Sequence, residues 1–359
     1  MYGARTGVGV AVDHMIRALD QLTDGPELVP YLLSFRGQPA PGVRRLGYPA
    51  AIAHRCWSRI DWPPVKRFVG DVSVIHGTNY VVPPSRAARL VTVYDCWFLE
   101  HPTEVHPDVR RAGEVLRRAV RRGAVVHASS AATATAARAL LDTDRVEIIH
   151  LGSPDRVEAP PSGSPGPGGR TADGPPFILS IGTLERRKNL PRLIAAFGIA
   201  HRSRPDLELL VAGSGGDDAD AFEQAIRRLD ARTRSAVHRL GRITDADKAW
   251  LLHHASILAY PSLDEGFGFP LLEAMQVGLP VVASTAGSIP EIAGDAALLV
   301  DPADTDGLAE ALIEATGNPI ARARLIEAGH TRVTQFSWSA TAAQLGDLYA
   351  AMAMERGTR

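Results

Sequence analysis

The sequence predicts an α/β protein of two doubly wound domains, each a parallel sheet wrapped by helices, with a ligand cleft between them. Three observations predict this. The chain has 359 residues, enough for two domains at about 100–200 residues each. Short apolar runs of strand length alternate with helix-length amphipathic stretches in both halves. A stretch rich in Pro, Gly and Ser separates the halves.

In the first half, apolar runs at 72–75, 90–93, 124–128 and 146–149 each end at a polar turn. In the second half they fall at 177–181, 207–212, 257–260 and 280–283, with helical patterns over 190–200, 219–229 and 308–315 between them. Each run is nearly continuous in apolar character, as expected of strands buried on both faces of a parallel sheet. Fourteen of the 23 residues at 153–175 are Pro, Gly or Ser. Such a stretch buries too little surface to offset its chain entropy and reads as a linker. The expected layout is therefore a first domain over 1–152, the linker 153–175, a second domain over 176–335, and a C-terminal helix over 336–359 that packs back toward the first domain. In sheets of this kind ligands sit beyond the carboxyl ends of the strands, so chemistry is sought in the residues just after each run.

Composition narrows the function. Lys plus Arg number 39 against Asp plus Glu 40, a formal net charge of −1, which argues against a general nucleic-acid binder. No apolar run reaches the 18 or so residues of a membrane span, and MYGARTGVGV has no signal-peptide pattern. Cys56 and Cys96, the two cysteines, have no metal-type spacing and read as idle thiols in a reducing cytosol. Lysine is scarce, at Lys66, Lys188 and Lys248 alone, which draws attention to where each one falls.

The strongest signal is YPSLDEGFGFPLLEAMQVGLPVVAS at 260–284. A strand ends at Tyr260, and a loop with Ser262 and Glu265-Gly266-Phe267-Gly268-Phe269 follows. Pro270 suits the first turn of a helix. The N–H groups of Phe269, Leu271 and Leu272, with the helix dipole, favour an anion such as a diphosphate. Glu265 and Glu273 stand eight positions apart, so one carboxylate can address a sugar while the other accepts from ribose hydroxyls. The plainer reading of Glu273 is a charge complementing the helix dipole; it leaves Glu265 and the Gly-Phe-Gly loop unexplained.

This segment resembles the E-x7-E region of family-4 retaining glycosyltransferases, which have the GT-B fold of two Rossmann-like domains facing across a cleft. IGTLERRKNLPRLIAAF at 181–197, LLVAGSG at 209–215, HRLGRITDADKAWLLHHASILAYPS at 238–262, GSIPEIAGDAALLVDPAD at 287–304 and FSWSATAAQLGDLY at 336–349 extend the likeness through the second domain. RTGVGV, HGTNYVVPP, VTVYDCWFLEHP and EIIHLGS carry it more loosely through the first. The resemblance implies a nucleotide diphosphate sugar bound mainly on the second domain and the acceptor mainly on the first. It implies no metal and no other cofactor, the departing diphosphate being stabilised by Arg187 and Lys188. By the same analogy Glu265, Arg187, Lys188 and Asp95 form the catalytic group, and Glu273 holds the ribose. Gly9, Gly182, Thr183, Gly213 and Ser262 join the loop 266–272 around the donor, while Gly7, His76, Asn79 and Tyr94 lie toward sugar and acceptor. The alternative for residues 186–188 is a solvated basic turn.

Two departures from the family pattern matter. Its first domain opens with a strand running into the glycine loop, but Met1 falls six residues before Gly7. The expectation is that the true start lies upstream or that the first domain is poorly ordered. Tyr94 also stands before Asp95 where many members carry His. A tyrosine there offers a hydroxyl but no cation near neutral pH.

Weaker signals complete the reading. The D-x-D triplets beginning at Asp142, Asp218, Asp245 and Asp304 fall at turns and helix starts, where Asp caps, so no metal site is expected. Arg110, Arg111, Arg117, Arg118, Arg121 and Arg122 fall on one face of a helix over 109–126, opposite Val109, Leu116 and Val120. That face suits either peripheral contact with an anionic membrane or lipid-linked acceptor, or plain solvation. The expected activity is transfer of a hexose, mannose from GDP-mannose by likeness to the GTLE-x-RKN subset, to a glycan, lipid-linked or small-molecule acceptor. The expected location is the cytoplasm or the inner face of its membrane. An impaired member that binds nucleotide sugar or partners another transferase stays open. An NAD-dependent dehydrogenase is opposed by Val12, which stands where a third glycine belongs after Gly7 and Gly9.

Overall fold

The computed structural model describes residues 7–34, 37 and 39–357. The chain divides into two compact units. Unit 1 joins Met1–Gly152 to Phe336–Arg359, and unit 2 is Ser153–Gln335.

Unit 1 holds β1 (Tyr31–Leu33), β2 (Arg44–Leu46), β3 (Val74–Gly77), β4 (Ala88–Val93), β5 (Val125–Ala128) and β6 (Val146–Ile148). They form two parallel sheets among the described residues, β1-β2 and β3-β4-β5-β6. The expected opening strand would fall ahead of Gly7, outside the described residues. The helix Gly7–Asp20 already contains Gly7 and Gly9, so these glycines lie in its first turn rather than in a loop before it. Trp57, Val91, Leu116, Val126 and Leu141 belong to the buried core. The final helix, Trp338–Gly357, belongs to this unit; Trp338 stacks on His14 with ring centroids 5.1 Å apart.

A chain of hydrogen bonds runs through this unit. The Ile149 carbonyl only accepts, so His127 Nε2 must carry the proton that reaches it over 2.9 Å. His127 Nδ1 then accepts from the Thr92 hydroxyl at 2.9 Å, and Thr92 accepts from His76 Nε2 at 2.7 Å. His76 Nδ1 accepts from the Tyr349 hydroxyl at 2.6 Å. With both imidazoles neutral, one terminal carbonyl fixes every proton in the chain. Burial lowers the pKa of His76 to about 3, with His127 beside it adding to the effect, and that of His127 to about 4.

Unit 2 holds β7 (Phe177–Ile181), β8 (Glu208–Ala212), β9 (Val237–Gly241), β10 (Ile257–Tyr260), β11 (Val281–Ser284) and β12 (Ala297–Val300). All six pair in parallel in the order β12-β11-β10-β7-β8-β9. The inner strands β10 and β11 are buried along their whole length, which is why their apolar runs are unbroken. Phe197, Phe222, Leu209, Val282 and Leu312 are in the core between sheet and helices. Local signals set the helix ends: Thr244 and Asp247 form a reciprocal capping box, and Asp304 accepts from Gly307 N. No group of three or more potential metal-binding side chains occurs among the described residues.

Two expectations need correction. Residues 153–175 are tied into unit 2 rather than standing apart from both domains. Trp250 Nε1 donates to Ser164 O at 2.9 Å, Gln276 Nε2 donates to Pro154 O at 2.7 Å, and Arg170 donates to Glu208 at 2.6 Å. Gly166 lies so close to the Trp250 ring that a Cβ there would come within 2.5 Å. A segment poor in apolar residues needs no core of its own when a folded neighbour satisfies its carbonyls. The basic stretch 109–126 is also two elements: the helix Pro107–Arg121 ends at Arg122, and β5 begins at Val125. Arg111 pairs with Asp108, Arg118 pairs with Asp61, and Arg117 donates to Leu140 O, so only part of the arginine face is left to solvent.

The neutral histidines predict a pH response. Their folded pKa values lie below the unfolded value near 6.5, so the unfolded state binds more protons as pH falls from 6.5 toward 4. Stability of unit 1 should fall over that window, by about 2 kcal/mol per histidine at pH 5. The thermal midpoint measured from pH 7 to pH 5 should drop, and His127→Gln should drop less steeply. An unchanged slope in that variant would mean that His127 is not held neutral.

Candidate active site

The residues after β7 and β10 are drawn together by backbone and amide bonds. Asn189 Nδ2 donates to Pro261 O at 3.1 Å and to Pro302 O at 2.9 Å, while Leu263 N donates to Arg187 O at 2.6 Å. The short 3-10 turn Arg186–Lys188 closes through Lys188 N to Glu185 O at 2.8 Å. This sewing places Arg187 and Lys188 against the loop that carries Glu265.

Glu265 is 7% exposed and meets both cations. Arg187 Nη1 donates to Glu265 Oε2 at 3.0 Å, and Lys188 Nζ donates to Oε1. Lys188 Nζ also donates to the Tyr260 hydroxyl at 3.0 Å and lies 4.8 Å from that ring's centre. Arg187 Nε donates to Glu185 Oε2 at 2.8 Å. Burial alone would raise the Glu265 carboxyl, but the charges of Lys188 and Arg187 overcome it and hold the pKa at about 2. Burial lowers the Lys188 pKa, against the pull of Glu265. The group is an ionised, preorganised cluster with two cations aimed at one carboxylate.

The helix Phe269–Gln276 begins directly after Gly268, with Pro270 in its first turn. Of the three N–H groups expected to be available there, Leu271 N is engaged with Gly268 O at 3.0 Å. Glu273, in the same helix, is 9% exposed; its Oε1 accepts from Lys248 Nζ at 2.5 Å and its buried Oε2 has no hydrogen-bond partner. Burial raises its pKa against Lys248, the opposite of Glu265. Two glycines permit the tight approach. A Cβ at Gly213 would come within 1.8 Å of Gly182 O, and Gly287, at φ +56°, lies where a Cβ would meet Glu265 N at 2.6 Å. Gly182, Thr183, Ser262, Gly266 and Phe267 lie on the same two loops, with Ser262 buried, and Phe269 opens the helix that follows.

The remaining expected residues lie in unit 1. Asp95 Oδ2 accepts from the Tyr80 hydroxyl at 3.1 Å, and its Oδ1 accepts from Trp97 N at 3.2 Å. Asn79 is exposed. Tyr94 does not offer its hydroxyl to a ligand, because it is buried and donates to Thr78 O at 2.9 Å. His76 has both ring nitrogens in the relay to Tyr349 and Thr92.

Sequence reasoning missed the partners rather than the principals. Lys248 was conspicuous as one of three lysines, yet it lies 25 positions from Glu273 on another helix, Asp245–His254. Glu185 and Tyr260 sit inside quoted motifs, but only the folded loops show which cation each one holds.

Residues 168–332 match the model of the family described as glycosyl transferases group 1. The O-antigen chain mannosyltransferase B of Escherichia coli is 35% identical over 175 residues, which is 48% of this chain and 45% of that protein. The GDP-mannose-dependent monoacylated alpha-(1-6)-phosphatidylinositol monomannoside mannosyltransferase of Corynebacterium glutamicum is 38% identical over 175 residues, 46% of this chain and 45% of that protein. The chain thus spans about half the length of the curated relatives it matches. The sucrose-phosphate synthase of Thermosynechococcus elongatus superposes with a TM-score of 0.72 at 22% identity, covering 97% of this chain and 94% of that one. The chain therefore has the GT-B fold, and residues 168–332 of its unit 2 match the glycosyl transferases group 1 family.

Proposed function

We propose that this chain is a retaining, metal-independent glycosyltransferase that moves a hexose from a nucleotide diphosphate sugar to a glycan, lipid-linked or small-molecule acceptor. The observation that carries the reading is the buried cluster of Arg187, Lys188 and Glu265 in the same domain as a second buried carboxylate, Glu273, whose Oε2 lacks a partner. A buried carboxylate oxygen left unpaired is costly, and a ribose hydroxyl is a donor of the right kind for it. Mannose from GDP-mannose is the donor in this reading, because both curated relatives described above are named mannosyltransferases and one is named GDP-mannose-dependent.

In this mechanism the diphosphate lies toward the N-terminus of the helix Phe269–Gln276 and takes up the charges of Arg187 and Lys188 as it departs. Glu265 holds those cations in place and addresses the sugar. The acceptor hydroxyl attacks the anomeric carbon on the face the diphosphate leaves. Its oxygen bonds to that carbon as the carbon–phosphate oxygen bond breaks, and its proton passes to the departing phosphate oxygen. Catalysis rests on positioning and on preset electrostatics, with no protein nucleophile.

A second reading, nucleotide-sugar binding without turnover, is favoured by Tyr94, whose hydroxyl is committed to Thr78. The two readings separate on a thermal-shift panel of GDP, UDP, TDP, ADP, their sugar conjugates and NAD, with and without magnesium, followed by transfer assays. Stabilisation by one nucleoside diphosphate, indifferent to chelator and accompanied by transfer, is expected. A response to NAD alone overturns the assignment, and binding without transfer to any acceptor selects the second reading.

Two variants test the roles. Lys188→Ala should lower turnover about 100-fold or more with a smaller change in nucleotide affinity, having lost leaving-group stabilisation. Glu273→Ala should chiefly weaken nucleotide binding; wild-type affinity and rate in both would refute the site. Because the Glu273 pKa is raised, it takes up a proton earlier than an ordinary glutamate as pH falls, while Glu265 stays ionised down to about pH 2. Nucleotide affinity should therefore weaken on the acid side of neutrality, and Glu273→Gln should lose that dependence.

A further inference from the structure

Glu273 depends on a residue outside the two loops that follow β7 and β10. Lys248 lies on the helix Asp245–His254, and its ammonium donates to Glu273 Oε1 at 2.5 Å. That helix is held against rotation about its own axis. Thr244 and Asp247 cap its start reciprocally, and Lys248 N donates to Thr244 O at 2.9 Å. Trp250, two positions on and so on the far side of the helix, is buried and stacks parallel to Phe177 of β7, with ring centroids 6.2 Å apart. Its Nε1 is committed to Ser164 O. Lys248 is thereby aimed at the helix Phe269–Gln276 by packing and capping that involve no charge of its own.

The pairing divides the two oxygens of one carboxylate. Oε1 takes the ammonium, while the buried Oε2 has no hydrogen-bond partner. An ammonium donates and never accepts, so the lone pairs left over are open to donors alone. Three ionisable groups face Glu273. Asp245, one turn before Lys248 on the same helix, opposes its ionised form, and Lys248 favours it. Tyr260 of β10, pushed far up by burial, stays neutral. Lys248 is the cation paired with Glu273 among the described residues. Without it, a carboxyl already raised by burial takes up a proton, and an O–H then stands where an acceptor is needed. The lysine side chain is 30% exposed against 12% for the glutamate, so the cation can be replaced without opening the core.

We propose that Lys248 is a positioning residue for the nucleotide. The proposal rests on the reading of Glu273 as the ribose ligand. By occupying Oε1, Lys248 holds the carboxylate in one orientation with Oε2 presented to the neighbouring hydroxyls of the sugar, and the site thereby selects ribonucleotides over their 2′-deoxy counterparts. An oxygen with two lone pairs can accept from both hydroxyls of a ribose, and the deoxy sugar leaves one of those lone pairs unmatched in a buried place.

The experiment measures the affinities of GDP and UDP, each beside its 2′-deoxy counterpart, between about pH 5 and pH 9. The chains compared are the wild type, Lys248→Met, Glu273→Gln and the double variant. The wild type should favour the ribonucleotide about tenfold or more, and Lys248→Met should lose most of that preference. Its acid-side loss of ribonucleotide affinity should also move to higher pH, because Glu273 takes up its proton sooner once the cation is gone. Adding Lys248→Met to Glu273→Gln should change the ratio no further. A Lys248→Met chain with the wild-type ratio and pH profile overturns the proposal. So does an equal loss of both nucleotide forms, which marks a contact to base or diphosphate instead. A wild type indifferent to the 2′ hydroxyl, or a Glu273→Gln variant of unchanged affinity, refutes the ribose reading and the proposal with it. If the methionine variant folds poorly, Lys248→Ala is compared in its place, and a wild-type ratio there also overturns the proposal.

Discussion

Buried charge is the constraint on which unit 2 depends. Glu265 and Lys188 are each less than a tenth exposed, and an ion so placed is tolerated only when paired with good geometry. Two cations, Arg187 and Lys188, face two carboxylates, Glu185 and Glu265, so the cluster is balanced within itself. That balance can exist only if the loop after β7 and the loop after β10 hold one relative position. Asn189, Gly213 and Gly287 then follow as requirements: one amide sews the loops, Gly213 lacks the Cβ that would strike the Gly182 carbonyl after β7, and Gly287 lacks the Cβ that would strike the backbone of Glu265. For the proposed transfer, charges held in this way leave little reorganisation to the reaction itself.

The two acidic residues of the E-x7-E pattern show how environment divides identical side chains. Both are buried, but Glu265 has two cations and Glu273 has one, with one oxygen left without a donor. The first is driven far below the ordinary carboxylate range and the second is raised. One serves as a fixed charge, while the other keeps an open acceptor and titrates nearer neutrality.

Unit 2 was largely legible in the sequence because its inner strands are buried on both faces and so appear as unbroken apolar runs: Phe177–Ile181 and Ile257–Tyr260 coincide with the expected spans. Of the strands that escaped notice, β1 (YLL) and β12 (ALLV) are apolar but only three and four residues long, and two others have polar faces. β9, with its arginine and histidine, is an edge strand, and β2 reads RRL. Glu265, Arg187 and Lys188 were grouped through the family likeness, and the fold brings their side chains together. Lys248 was not, because nothing in local periodicity links residues on separate helices. His76 and Tyr94 looked available for a ligand because the sequence cannot show that Thr92, Tyr349 and Thr78 already engage them.

The discontinuity of unit 1 has a consequence for how the protein is made. Its last helix is encoded after all of unit 2, so on the ribosome unit 2 is complete before unit 1 receives the surface that holds Tyr349 and Trp338. At about 5–20 residues per second, synthesis of the intervening stretch leaves the earlier-made strands waiting roughly 10–40 s. Unit 1 begins first and closes last. A nascent chain released early would therefore carry a finished unit 2 and an unclosed unit 1, and its His76 relay would lack the hydroxyl that starts it.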